Sequence, residues 1–344
     1  MRKTKIYLVL FVVLISWPFL FYILENKLPQ LKENDSGTFL YDNNDKNEIH
    51  QDIIVFKETF ENTRFKEEID CKLIFNNDIN ETSNAKQFLL DNDIEIKTIN
   101  DEKYIFDKSY CPLFRQIRGY DSHPIKESEY EFPLAFSILV HYNVEQLERL
   151  LKLIYRPHNL YCIHIDSKSS IEVHKAIQSI VQCFDNVFIS SKLEDIVYAG
   201  ISRLKADINC MYDLVHFKHN RTYNKKPVSQ WKYFINLVST EFPLRTNYEL
   251  TEILRLFNGA NDIEVLFNYP GDRVKYKYII GYRKNERTLI KTGKLKDPPP
   301  HNFSIAKGIA FGHFSYDFVQ FVLKDNHAID LLNWAEDTYS PDEW

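Results

Sequence analysis

From residue 134 onward the apolar and polar positions fall into short blocks that switch between two periods. Leu134 to His141 is a compact apolar run, which predicts a buried strand. Val144, Leu147, Leu150, Leu151 and Ile154 then recur at helical spacing. Leu160 to Ile165 predicts a second strand ending at Asp166. A helix over Ile171–Val181 and a third strand over Asn186–Ser190 follow. Ile201–Val215 reads as a helix and Trp231–Ser239 as a strand. A helix over Tyr248–Phe257 and a strand over Ile263–Phe267 close the series. Strands alternating with helices of this length predict βαβ units around a mostly parallel sheet, that is, an α/β fold. Ligands of such sheets gather at the carboxyl ends of the strands. That rule singles out His141, Asp166 and the loops after Ser190 and Ser239.

The N-terminal third is patterned differently. Ile6 to Leu24 contains no charge and follows Arg2, Lys3 and Lys5. A bilayer core takes roughly 20 apolar residues, so 6–24 is expected to span it as an uncleaved signal anchor. A cleaved signal peptide would carry a shorter apolar run and a small-residue site, whereas Glu25, Asn26 and Lys27 follow directly. The basic N-terminal side places residues 1–5 in the cytosol and the rest in a lumen or outside the cell. Residues 25–50 are polar and read as a stem. Residues 51–130 form an N-terminal lumenal region of short helical patterns and acidic loops, and 131–344 the main domain.

Composition adjusts this picture at three points. With 44% hydrophobic and 15% aromatic residues, 344 residues suffice for a sizeable core. A net charge of -5 argues against a nucleic-acid partner. Four Asn-x-Ser/Thr sequons, at Asn34, Asn80, Asn220 and Asn302, agree with a lumenal chain. Five cysteines (Cys71, Cys111, Cys162, Cys183 and Cys210) would leave one unpaired if disulfides form, and buried free thiols are the alternative.

Several residues are suited to chemistry. Asp166 ends a strand, where a carboxylate accepts hydrogen bonds from a ribose or a base edge, or else caps the next helix with Ser167 and Ser169 nearby. His141 also ends a strand, and a lone histidine there is more often structural. Asp91-Asn92-Asp93 has the form of a metal-holding triplet but precedes every nucleotide-binding strand, and reads as a solvated turn. Residues 273–296 carry nine Lys or Arg. Most fit a solvated basic hairpin, with one or two available to grip a diphosphate. Near the end, Trp334-Ala335-Glu336-Asp337-Thr338-Tyr339-Ser340-Pro341-Asp342-Glu343-Trp344 sets carboxylates on a Ser-Pro turn among aromatics. Glu343 is the best candidate for a general base toward a sugar hydroxyl, and Trp334, Tyr339 and Trp344 have the shape to stack on sugar faces. A plain polar tail is the competing reading. No G-x-G-x-x-G, P-loop, H-E-x-x-H, C-x-x-C or G-x-S-x-G occurs, which removes the simple dinucleotide, P-loop, zincin, zinc-ribbon and α/β-hydrolase readings.

Residues from about 133 to 343 resemble the core-2/I-branching β-1,6-N-acetylglucosaminyltransferase family, which includes the protein xylosyltransferases. The stretches that carry the resemblance are Phe136–His141, Leu160–Asp166, Val197-Tyr198-Ala199, Ala206–Met211, Trp231–Leu237, Phe242–Asn247 and Trp334–Glu343, in family order. The resemblance implies a GT-A-type glycosyltransferase fold, a Rossmann-like mixed sheet with helices on both faces, behind an N-terminal transmembrane helix. It implies a single-pass type II Golgi membrane enzyme with a lumenal catalytic domain. The implied reaction is inverting, metal-independent transfer of GlcNAc from UDP-GlcNAc in β-1,6 linkage to a glycan on a glycoprotein or glycolipid. No cofactor is implied. Glu343 falls on the family's general base, His141, Asp166 and Tyr198 on the UDP-sugar site, and Glu264 and Lys275 on the acceptor side. The resemblance also implies the disulfides Cys111–Cys183 and Cys162–Cys210.

Three features depart from the family pattern. Glu241 stands where an Asp usually precedes Phe-Pro, and residues 216–229 form an insertion. The resemblance further implies a C-terminal segment beyond Glu343, carrying the basic grip on the diphosphate and the partner of Cys71. The chain is therefore expected to be a C-terminally truncated member, and with a genuine stop at Trp344 no transfer from UDP-GlcNAc is expected. The alternatives are a protein xylosyltransferase-like activity and a non-catalytic lumenal protein that binds glycans or partners.

Overall fold

The computed structural model describes residues 53–60, 69–91, 99–217, 222–223, 226–266 and 271–344. Residues 57–344 form one compact unit, which holds every element below. The expected tail, membrane span and stem lie outside the described residues, as do Asn34 and Asn220. Among the described residues no helix is long and apolar enough to cross a membrane.

A six-stranded mixed sheet organises the chain. Its first three strands are β1 (Leu134–Val140), β2 (Leu160–Ile165) and β3 (Val187–Ile189). A small ladder, β4 (Thr222–Tyr223) with β5 (Lys226–Pro227), lies in the insertion and stands apart from the sheet. The sheet continues with β6 (Tyr233–Val238) and β7 (Asp262–Ile263). A separate hairpin, β8 (Tyr276–Arg283) with β9 (Glu286–Leu295), precedes the last sheet strand, β10 (Gly312–Ser315). The spatial order is β3-β2-β1-β6-β10-β7. β3, β2, β1 and β6 run parallel, while β10 is antiparallel to both β6 and β7. Every residue of β1 and β2 is buried, as uninterrupted apolar strands covered on both faces require.

The helices begin where the sequence supplies caps. Asn143 accepts from the Gln146 N–H ahead of Val144–Ile154, and Ser170 from the Val173 N–H ahead of Ile171–Val181. Thr246 and Glu249 close a capping box ahead of Asn247–Phe257. The helix Ile201–His216 buries Ala206, Asp207, Cys210, Met211 and Leu214. With Val319 of the helix Tyr316–Lys324, this face packs on Ala135, Leu160, Cys162, Trp231 and Phe234. Two disulfides brace the layers, Cys111–Cys183 and Cys162–Cys210, the pairing that the resemblance implied. Cys71 opens the short helix Cys71–Phe75.

One expected element is shorter than its pattern. The strand placed at Ile263–Phe267 pairs only over Asp262–Ile263. Among the described residues beyond it, Leu266 bridges to Lys307; Phe267 lies outside the described residues, and β7 is an edge strand with one neighbour and both its residues exposed. Asp91 ends the helix Ile79–Asp91, and the rest of the Asp91-Asn92-Asp93 turn lies outside the described residues. The sequons at Asn80 and Asn302 are exposed.

Candidate active site

A cavity of about 360 Å³ opens at the carboxyl ends of β1, β2 and β6. Its walls bring together His141, Asp166 and Tyr198 with Glu343, residues spread over two hundred positions of sequence. Asp166 follows β2 and is 4% exposed. Its Oδ2 lies 3.5 Å from His141 Nδ1 and 2.9 Å from Lys168 Nζ. Its Oδ1 accepts from the backbone N–H groups of Lys168 and Ile196, both at 3.3 Å. It therefore joins the turn after β2 to the loop after β3. Ser169, not Asp166, lies beside the histidine backbone, with its hydroxyl donating to the His141 carbonyl at 2.6 Å. Ser170, not Asp166, caps the following helix.

The loop after β3 is stapled to the same strand end. The Ser167 N–H donates to the Glu194 carbonyl, and the Glu194 N–H donates to His164 Nε2 at 2.8 Å. Burial, outweighing the nearby carboxylates Glu194 and Asp166, lowers the His164 pKa. The ring is thus neutral with its proton on Nδ1, a buried atom with no hydrogen-bond partner among the described residues. Tyr198 leaves this loop 83% exposed, with its ring on the wall of the cavity.

Glu343 does not lie on a loose tail. Thr338, Ser340 and Ala335 are buried, and Pro341–Glu343 form a 3₁₀ turn. The Ser340 N–H donates to the Ala199 carbonyl at 2.8 Å, and the Gly308 N–H to the Glu343 carbonyl at 2.7 Å. The Glu343 carboxylate pairs with Arg273, whose guanidinium lies 5.8 Å from the Tyr339 ring centre. The aromatics expected to stack on sugars are engaged elsewhere. Trp334 and Trp344 meet edge to face at 5.7 Å, and Tyr339 packs on Tyr278. None of the three lines the cavity.

Beneath Glu343 lies a buried network that sequence reasoning did not single out. Arg203 Nε is 3.3 Å from Asp342 Oδ2, and its Nη1 is 3.3 Å from Asp207 Oδ2. Asp207 also accepts from Ser137 Oγ at 2.8 Å and from Asn236 Nδ2 at 3.0 Å. Burial, partly offset by Arg203, holds both aspartates above the usual carboxylate range. The spacing of Arg203 and Asp207 by four residues on one helix was the available signal. Glu241, the departure before Phe-Pro, folds back to accept from the Val238 N–H at 2.8 Å and closes the turn after β6.

The remaining expected residues are not among those that line the cavity. Glu264 is exposed, on the chain that follows β7. Lys275 faces the Tyr276 ring at 5.5 Å and does not line the cavity. Of the nine basic residues, Arg273, Lys277, Arg287, Lys291 and Lys296 pair with carboxylates. None of the nine is among the residues that line the cavity, and Arg273 reaches its edge through Glu343. Arg283, Lys284 and Lys294 are exposed on the hairpin, as the solvated reading expects.

A parallel-dominated α/β sheet with a carboxylate-lined cavity at its carboxyl end defines the class of open α/β proteins that bind their ligands there. Comparison with known proteins makes this specific. The family model of the Core-2/I-Branching enzyme matches residues 134–344, and the chain belongs to that family. It is 39% identical over 256 residues to the human "Beta-1,3-galactosyl-O-glycosyl-glycoprotein beta-1,6-N-acetylglucosaminyltransferase 3", covering 73% of this chain and 56% of that protein. A second human protein, "Beta-1,3-galactosyl-O-glycosyl-glycoprotein beta-1,6-N-acetylglucosaminyltransferase", is 38% identical over 287 residues, covering 80% and 62%. The Danio rerio "Beta-1,3-galactosyl-O-glycosyl-glycoprotein beta-1,6-N-acetylglucosaminyltransferase 4" is 39% identical over 260 residues, covering 72% and 57%. The chain thus spans about three fifths of the length of the curated relatives it matches.

Proposed function

We propose that this protein transfers GlcNAc from UDP-GlcNAc in β-1,6 linkage to a galactosyl O-glycan, the substrate class in the names of its relatives. The observation that carries the reading is the cavity that unites Asp166, His141 and Tyr198 with Glu343 at the sheet's carboxyl end. In this reading His141, Asp166 and Tyr198 hold the uridine side of the donor. Glu343 takes the proton of the acceptor 6-hydroxyl as its oxygen bonds to the sugar C1. The C1–O bond to UDP breaks, UDP leaves with the bonding pair, and the anomeric configuration inverts. Glu264 and Lys275 stand as acceptor-side residues. The fold would be of GT-A type and the reaction metal-independent, as the family resemblance implies. A type II Golgi membrane placement through residues 6–24 completes the proposal, supported by the uncharged run and the basic residues before it.

The test is a donor comparison. Full-length protein is incubated with UDP-GlcNAc or UDP-xylose and a β-1,3-galactosyl O-glycan, with and without EDTA. The reading expects EDTA-resistant transfer from UDP-GlcNAc. Transfer from UDP-xylose alone, or from neither donor, overturns it.

A further inference from the structure

The loop that carries Glu343 is held in an unfavourable backbone conformation. Ser340 has φ 47° and Ala199 has φ 59°, and both are left-handed without being glycine. Such conformations are unfavourable for residues with a Cβ and persist only where their surroundings over-determine them. These two are joined by the Ser340 N–H to Ala199 carbonyl bond. Ala199 lies two residues before the helix Ile201–His216, and Arg203 lies on that helix's first turn. The loop is therefore tied to one helix start at two points, once through backbone and once through the Arg203–Asp342 contact.

Arg203 is well placed for this. Its side chain is 17% exposed, and its guanidinium lies 5.2 Å from the Phe311 ring centre. Its second carboxylate, Asp207, is fixed independently from β1 by Ser137 and from β6 by Asn236. Asn236 also donates to the Ala310 carbonyl at 2.7 Å and accepts from the Gly312 N–H. The chain of contacts therefore runs from the rigid sheet through Asp207 and Arg203 to Asp342, the neighbour of Glu343. Without Arg203 two buried carboxylates would share no cation, and the unanchored one is Asp342.

We propose that Arg203 is a positioning residue: it clamps Asp342 to the sheet-anchored Asp207 and thereby fixes Glu343 in the cavity. The clamp itself rests on geometry alone, while its catalytic consequence rests on the function proposed above. Misplacement of a reacting group by about 1 Å can cost on the order of 10²-fold in rate.

The test uses the full chain with Arg203→Met, Arg203→Lys, Asp342→Asn and the Arg203→Met/Asp342→Asn pair. Hydrogen exchange is read on the segment 339–343, with β1 and the helix Tyr316–Lys324 as internal references. The clamp expects R203M to speed exchange in 339–343 about tenfold or more with the references unchanged. R203K should restore most of the protection, and the double variant should be no faster than R203M. Turnover in R203M should fall about 10²-fold at an unchanged acceptor KM. Protection at the wild-type level in R203M, or additive effects of the two substitutions, overturns the clamp. Should R203M fail to fold, D342N decides the matter by the same segment. Loosened exchange in R203M, with no turnover even in the wild-type chain, contradicts the proposed function and leaves the clamp standing.

Discussion

The disulfide Cys162–Cys210 joins the middle of β2 to the helix that carries Arg203 and Asp207. Replacing both cysteines by alanine opens a loop whose ends are 48 residues apart. Chain-entropy scaling for that length gives about 4 kcal/mol at 25 °C, and native disulfides removed in practice cost about 2–5 kcal/mol. Both sulfurs are fully buried, so truncation adds a packing loss that the cross-link argument does not include. A Cys111→Ala/Cys183→Ala background leaves Cys162–Cys210 as the one disulfide seen in the structure, and reducing that protein keeps its sulfur atoms and separates the two contributions. The assay is equilibrium urea unfolding of this background oxidised, the same protein reduced, and the background with Cys162→Ala/Cys210→Ala added. A loss of about 2–4 kcal/mol on reduction is expected, with a further loss when the alanines are added. Cys111–Cys183 closes a span of 72 residues, for which the same scaling predicts a loss larger by only a few tenths of a kcal/mol. A reduced protein within about 1 kcal/mol of the oxidised one would refute the reasoning, because the denatured chain would then be constrained without the bond.

Three further outcomes are expected. Glu343→Gln keeps the shape of the side chain but cannot accept the hydroxyl proton, so transfer should drop about 10²–10⁴-fold while UDP binding persists; near-normal transfer would remove Glu343 as the base. A Cβ at Gly308 would stand 2.6 Å from the Glu264 carbonyl oxygen and 3.9 Å from that of Glu343, so Gly308→Ala should destabilise by about 1–3 kcal/mol and slow transfer; an unchanged melting temperature would contradict this. Burial holds the His164 pKa below its unfolded value, so its contribution to stability is present above about pH 6.5 and is lost as pH falls through the depressed value. Between pH 7 and 5 wild type should lose more stability than His164→Gln, and parallel pH curves would show the ring to be uninvolved.

The sheet was legible because its strands are read locally. Leu134–Val140 and Leu160–Ile165 are apolar throughout, and only a strand covered on both faces uses such a run. The strand-end rule led from there to His141 and Asp166, which do line the cavity. Residues whose role depends on contacts across the chain were not legible. Arg203 reads as one more charge on an amphipathic helix until Asp342 arrives from 139 positions away. Arg273 was one of nine basic residues, and only the fold shows that it pairs with Glu343. The aromatics Trp334 and Trp344 suggested sugar stacking by composition, whereas they pack on each other. β10 was missed because Gly312–Ser315 is four residues long with little apolar pattern, and its place is set by pairing with β6.

The central claim is that the cavity is a UDP-sugar site, and calorimetric titration of the full chain with UDP tests it most directly. One saturable site is predicted, weakened about tenfold or more by Asp166→Asn, which removes the charge that His141 and Lys168 face. No binding heat, or an affinity that Asp166→Asn leaves unchanged, would contradict the account.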